Sequence, residues 1–207
     1  MTTSVFRRSH PRLRGDDGAV LVEFALVLPL LTLLLLGVFE YGSAYRETLN
    51  MASAVRVASR QAANVGSGRS ADYLALQSFN SVMGSAKNIT VQKVVIYKTT
   101  SANGDPLDPS CFTSATPSAG FQCNVYTGTQ IANLGASYLT NFGPTDTACT
   151  SSWDVKWCPL VRKDMQSDPP DYLGVYAVIT YTGVTSLIPG TRTFTDRAVA
   201  RIEPRVT

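Results

Sequence analysis

Three sets of residues in this 207-residue chain have the types and spacing to do chemistry. Glu23 is the only charged side chain between Ala19 and Phe39, and Gly18 stands immediately ahead of that run. A carboxylate in such surroundings costs from about 2.5 kcal/mol upward at the centre of a membrane helix, and less near its end. It either snorkels to the headgroups or pairs with a cation. Cys111, Cys123, Cys149 and Cys158 form the second set, whose thiolates ligate metal or pair oxidatively. The third is Asp105 with Asp108, and Asp164 with Asp168 and Asp171, carboxylates near enough in sequence for acid–base work or calcium.

Most catalytic chemistry lacks its equipment here. The one histidine, His10, precedes the apolar run, so no His-dependent triad is available beyond it. Neither Gly-x-x-x-x-Gly-Lys-Ser/Thr nor a Gly-x-Gly-x-x-Gly that follows a strand occurs. The aspartates lie among Pro, Ser and Gly, where acidic residues solvate a loop, and the EF-hand spacing is absent. Zinc competes for the cysteines, but there is no Cys-x-x-Cys. Disulfides are the reading that fits an oxidising exterior. Of the three possible pairings, Cys111–Cys123 with Cys149–Cys158 closes the shortest loops, each stabilising by about 2–3 kcal/mol. Trp153 and Trp157, near Cys158, are expected in the core rather than as a ligand platform. The expectation is a protein that is not an enzyme and takes no cofactor or metal. A net charge of +3, without a Lys/Arg cluster interleaved with aromatics, also argues against nucleic acid.

The elements that must position these residues follow from where the hydrophobicity lies. Charged residues make up only 16% of the chain, against roughly 25% in a soluble domain. The apolar content is concentrated over residues 19–39, a length that as helix spans about 31 Å and matches the roughly 30 Å hydrocarbon core of a bilayer. Leu28 to Leu36 is apolar on every face, unlike a surface helix. Arg7, Arg8, Arg12 and Arg14 precede the run and Arg46 follows it, which keeps the N-terminus cytoplasmic and sends residues 40–207 outside. A cleaved secretory signal is the rival reading; the run is longer than the usual 7–15 residues and carries Glu23.

Beyond the run, Tyr41, Tyr45, Leu49, Ala52, Val55, Ala58 and Ala62 recur at helical spacing, and Gly66-Ser67-Gly68 stops the helix. A bend is expected at Pro29. Ser70 is placed to cap a second helix through Met83, with Ala75, Leu76, Phe79, Val82 and Met83 inward. Strands are expected at Ile89–Lys98, Tyr172–Thr182 and Thr193–Glu203, with Pro189 and Gly190 in the last turn. Residues 99–128 and 140–170 read as long irregular regions that hold all four cysteines. The fold class is therefore α+β: a long N-terminal helix, then a small domain with an antiparallel sheet and disulfide-stapled loops.

The string Gly18-Ala19-Val20-Leu21-Val22-Glu23-Phe24-Ala25-Leu26-Val27-Leu28-Pro29 resembles the TadE-like pseudopilins of the tight-adherence (Flp) pilus machinery. Glu40-Tyr41-Gly42, Ala58-Ser59-Arg60-Gln61-Ala62-Ala63 and the closing Arg197-Ala198-Val199-Ala200-Arg201-Ile202-Glu203-Pro204 resemble that family too. The resemblance implies a pilin-like domain, a basic leader over residues 1–18 cut after Gly18 by a prepilin peptidase, and a mature chain whose first residue is Ala19 and fifth is Glu23. It implies other pilus subunits as partners; the charge of Glu23 beside a new Ala19 ammonium gives the expectation of a role in subunit assembly, and the apolar span that of lipid around residues 19–39. Asp16 and Asp17 depart from a wholly basic leader. A permanently anchored extracellular binding module and a released hydrolase are the competing functions.

Overall fold

The computed structural model describes residues 15–104, 109–113, 122–143, 145, 147–150, 153–165, 169–185 and 190–204, with backbone alone at 15–17 and 136–139. The arginine-rich leader with His10, and Asp105, Asp108, Asp168 and Pro189, lie outside the described residues.

One helix, α1, runs unbroken over Gly15–Val65 with Pro29 inside it. Its apolar part packs on nothing among the described residues. The one hydroxyl in that part, Thr32 Oγ1, donates to the Leu28 carbonyl at 2.8 Å and so has its partner inside the helix. Gly66 ends α1 at φ +60°, a conformation that suits glycine, and its N–H bonds the Ala62 carbonyl at 2.9 Å. Helix α2 (Ala71–Met83) returns along α1. Ser70 holds the N-cap position, but its side chain makes no cap hydrogen bond. The tight turn from Gly66 already carries Ser70 into a near-helical ψ of 6°, away from the extended backbone a capping hydroxyl needs.

Four antiparallel strands follow: β1 (Ile89–Thr99), β2 (Cys123–Thr127), β3 (Tyr172–Thr182) and β4 (Thr191–Arg201). Their order in the sheet is β2-β1-β3-β4. Strand β4 starts and stops two residues earlier than its alternation suggests, because β3 sets its length, with Thr182 opposite Thr191 and Tyr172 opposite Arg201. Strand β2 and the short helix α3 (Pro109–Thr113) fall in a segment that the sequence reads as irregular, and the short helices α4 (Gly128–Ala132) and α5 (Leu134–Asn141) lie between the two irregular segments, overlapping them only at their ends.

The helices cover one face of the sheet. Met51, Val55, Ala58 and Ala62 of α1 and Leu76 and Phe79 of α2 meet Val94, Ile96, Val175, Ala177 and Ile179 in a single buried cluster. Small residues on α1 let it approach the strands closely. The opposite face is covered near β2 by a second cluster of Val95, Tyr97, Cys111 and Cys123. Cys111–Cys123 and Cys149–Cys158 are disulfide-bonded, the local pairing. Trp157 is buried and Trp153 packs edge-on to Phe142, so both indoles serve the core.

Of the row that recurs at helical spacing on α1, the first three members lie outside the core. Tyr41, Tyr45 and Leu49 are 75%, 58% and 53% exposed, whereas Glu40 and Glu47 are buried. From Met51 onward the buried face is Ala54, Val55, Ala58 and Ala62. Followed back by turns of 3.6 residues, that face reaches Glu47 and Glu40 rather than the tyrosines. Burying Glu40 requires donors, and these come from the far end of β3.

Candidate functional site

Gly18, Ala19 and Glu23 lie on the first turns of α1, all exposed. The Gly18–Ala19 bond lies within α1, three residues after its first described residue, Gly15. A Cβ at Gly18 would meet nothing within 4 Å. Ala19 and Glu23 stand four residues apart, side by side on one helix face. Among the described residues Glu23 has no ion pair or hydrogen bond. Its partner must therefore come from a new terminus, from lipid or water, or from another molecule.

At the other end of the apolar run, Glu40 joins α1 to the turn after β3. It is 4% exposed. One carboxylate oxygen accepts from Val184 N–H at 3.0 Å and Tyr181 Oη at 3.3 Å. The other accepts from Val184 N–H at 3.1 Å and from Thr185 N–H and Oγ1, both at 2.9 Å. The Thr185 N–H leads in holding the Glu40 carboxyl below its usual range, helped by the Thr185 hydroxyl, Val184 N–H and Tyr181, while burial pulls the other way. Burial and the neighbouring Glu40 charge raise the Tyr181 phenol. Nothing in the local sequence distinguishes Glu40 as buried, since its five hydrogen bonds reach some 140 residues along the chain.

A depressed folded-state pKa gives stability that is present above the unfolded value, near 4.3, and is lost as pH falls through the folded value. Glu40→Gln is therefore expected to melt below wild type at pH 7, with the gap closing as pH drops below about 4. Thermal melts of the full chain against pH check this; parallel wild-type and mutant profiles would mean that the Glu40 charge contributes nothing.

Deeper in the sheet domain lies a polar network whose members are legible in sequence only as separate residues. Asp72, fully buried, accepts from Asn124 Nδ2 at 2.8 Å and Tyr126 Oη at 2.7 Å, and pairs with Arg162 at 2.6 Å. Asn124 also bridges to the backbone of Trp157, and Arg162 lies 4.2 Å over the Trp157 ring. Burial first, then the Asp72 charge, drives the Tyr126 phenol well above its ordinary range, so it remains a donor. Arg69 pairs with buried Asp154 nearby. These groups are locked on one another.

Of the loop carboxylates that suggested acid–base or calcium chemistry, the described ones, Asp164 and Asp171, are each engaged with other protein groups. Asp164 accepts from the Ser67 N–H and hydroxyl, tying the α1–α2 turn to the segment before β3. Asp171 pairs with Lys98 at 2.9 Å and accepts from Lys163 N–H. Both are buried connectors rather than loop solvators. Among the described residues, no three acidic, cysteine or histidine side chains gather as a metal site.

Residues 18–60 match the family described as TadE-like protein. Neither a curated protein nor a solved structure shows significant similarity to the chain. The match covers the apolar helix and its continuation as far as Arg60 and none of the sheet; the closing string at Arg197–Pro204 lies outside it. TadE-like proteins, as a family, are Tad pilus-associated pseudopilins with a structural role.

Proposed function

We propose, on the premise of this TadE-like segment, that the chain is a minor pilin or pseudopilin for an extracellular Tad/Flp-type pilus. Residues 1–18 are its cytoplasmic leader, residues 19–39 its membrane span, and residues 40–207 an outward domain. A prepilin peptidase removes the leader between Gly18 and Ala19, and the helix then joins other pilus subunits. The observation that carries this reading is the combination on α1 of an apolar surface, buried against nothing among the described residues, with one unpartnered carboxylate, Glu23, five positions after Gly18. A helix exposed on all sides in water would aggregate, so lipid first and neighbouring helices later must cover it.

N-terminal sequencing of native protein tests the proposal. The mature chain is expected to begin at Ala19, and Gly18→Phe is expected to accumulate as a full-length precursor in the membrane. An N-terminus and gel mobility unchanged in a strain lacking its prepilin peptidase would instead favour a permanently anchored binding module. An N-terminus beyond the apolar run would mean release by signal peptidase.

A further inference from the structure

The sheet domain stands on α1 with a fixed polarity. At its far end the Glu203 N–H bonds the Ala63 carbonyl at 3.2 Å, and at its near end the Val184 and Thr185 N–H groups hold Glu40, the residue after Phe39. Tyr181 lies opposite both Ile89 of β1 and Arg192 of β4, so the starts of those two strands belong to the near end. Lys87 belongs there too, because its neighbour Asn88 accepts from the Thr182 N–H at 2.8 Å. In the strand order β1-β3-β4, Lys87 and Arg192 therefore stand on either side of the end of β3.

If the hydrocarbon ends near Phe39, Glu40 and its donors Val184 and Thr185 lie within the headgroup layer, roughly 5–8 Å deep. Arg46 leaves the helix about 10 Å above Phe39, but side chains on α1 lean toward its N-terminus, so a long stem carries the guanidinium down toward that layer. Arg46, Lys87 and Arg192 are all exposed, and none makes an ion pair among the described residues. The carboxylates nearest them are turned inward. Glu40 is held by Tyr181, Val184 and Thr185, and Glu47, also buried, accepts from Asn50 Nδ2 at 3.0 Å. No other acidic residue occurs in the described segments 40–50, 84–92, 179–185 and 190–194, and the exposed Glu203 stands at the far end. The near end thus presents unpaired cations at the level of the lipid phosphates, with no exposed anion beside them.

We propose that this near end is a docking surface for anionic phospholipid headgroups of the outward leaflet, with Arg46, Lys87 and Arg192 each against a phosphate, and that the contact fixes the domain's tilt on the membrane before assembly. The cavity of about 210 Å³ between α1 and β4 takes no part: Arg192 lies at its near end, while Tyr45 and Phe194 wall it farther from the bilayer. The inference rests on the membrane-anchored reading of residues 19–39.

The test uses the full chain in phosphatidylcholine nanodiscs doped with phosphatidylglycerol, with a photo-crosslinking benzoylphenylalanine in place of Tyr41. That position is 75% exposed and stands about 3 Å above Phe39 along the helix axis. Recovery of the chain in discs reports on the anchor independently. Lipid adducts are expected to be enriched in phosphatidylglycerol at least about fivefold over its share of the disc, the bias that one basic residue near the surface supplies. The enrichment should fall toward parity at about 1 M salt, where the Debye length is only about 3 Å. Arg46→Gln, Lys87→Gln and Arg192→Gln together should bring the adducts to parity, and Arg46→Lys, Lys87→Arg and Arg192→Lys together should keep the enrichment. Arg60→Gln, exposed near the far end of α1, should leave it unchanged. Adducts in proportion to disc composition, enrichment that survives the triple Gln variant or high salt, or crosslinks chiefly to a second copy of the chain would each overturn the proposal, even with the chain fully inserted.

Discussion

Asp72→Ala is expected to destabilise the sheet domain by about 3–5 kcal/mol, the range for removing one partner of a buried pair. A whole domain is stable by only about 5–15 kcal/mol, so much of this one would be unfolded under ordinary conditions. The loss comes chiefly from what stays behind. The Arg162 side chain has no exposure, and its ion-pair partner is Asp72 at 2.6 Å. Without that carboxylate the guanidinium keeps one hydrogen bond to the Trp157 carbonyl at 3.1 Å and its stacking on the indole, and its charge is otherwise uncompensated. Asn124 Nδ2 and Tyr126 Oη lose an acceptor at the same time. Stacking on Trp is worth about 2 kcal/mol when desolvated, too little to offset an unpaired buried cation. The double variant Asp72→Ala, Arg162→Leu should recover a large part of the loss, because a buried ion pair and an apolar replacement are often near equal in stability. Denaturant unfolding of the single and double variants measures this. A single-variant loss below about 1 kcal/mol, or a double variant no better than the single, would show that the network is not what holds α2 to β2.

Glu23→Val is expected to insert in the membrane and to be cleaved at Gly18, yet to fail to co-purify with other pilus components. After cleavage, the new ammonium on Ala19 and the Glu23 carboxylate lie one turn apart, and a neighbouring subunit offset along the axis brings its ammonium closer to that carboxylate. At about 4 Å with an effective dielectric near 20, such a pair attracts by roughly 4 kcal/mol before desolvation is subtracted. If about 1.4 kcal/mol survives, each contact weakens tenfold without it, and a polymer multiplies that loss along its length. Valine removes the charge and leaves the membrane span more apolar, so insertion should not suffer. Normal co-purification and pilus assembly with Val at position 23 would leave Glu23 an interfacial residue. Failed insertion would place the fault in topology.

What the sequence determined by itself is local. Leu28–Leu36 announces a helix apolar all round within one short window, and the stop at Gly66 needs only a glycine that reaches φ +60°. Alternation in Tyr172–Thr182 brings Val175, Ala177, Ile179 and Tyr181 to one face, and all four are buried. The disulfides join cysteines 12 and 9 residues apart, so chain connectivity alone favours them. Tertiary structure decided the rest. Tyr41, Tyr45 and Leu49 form as good an apolar row as any core stripe. Which face of α1 turns inward depends on the Val184 and Thr185 donors that receive Glu40. Strand β2 is five residues long, and its polar Asn124 and the hydroxyl of Tyr126 are admitted to the interior only because Asp72 and Trp157 satisfy them. A buried polar group is stable only with its partner, and those partners lie 33 to 145 residues away, beyond any pattern a sequence window contains.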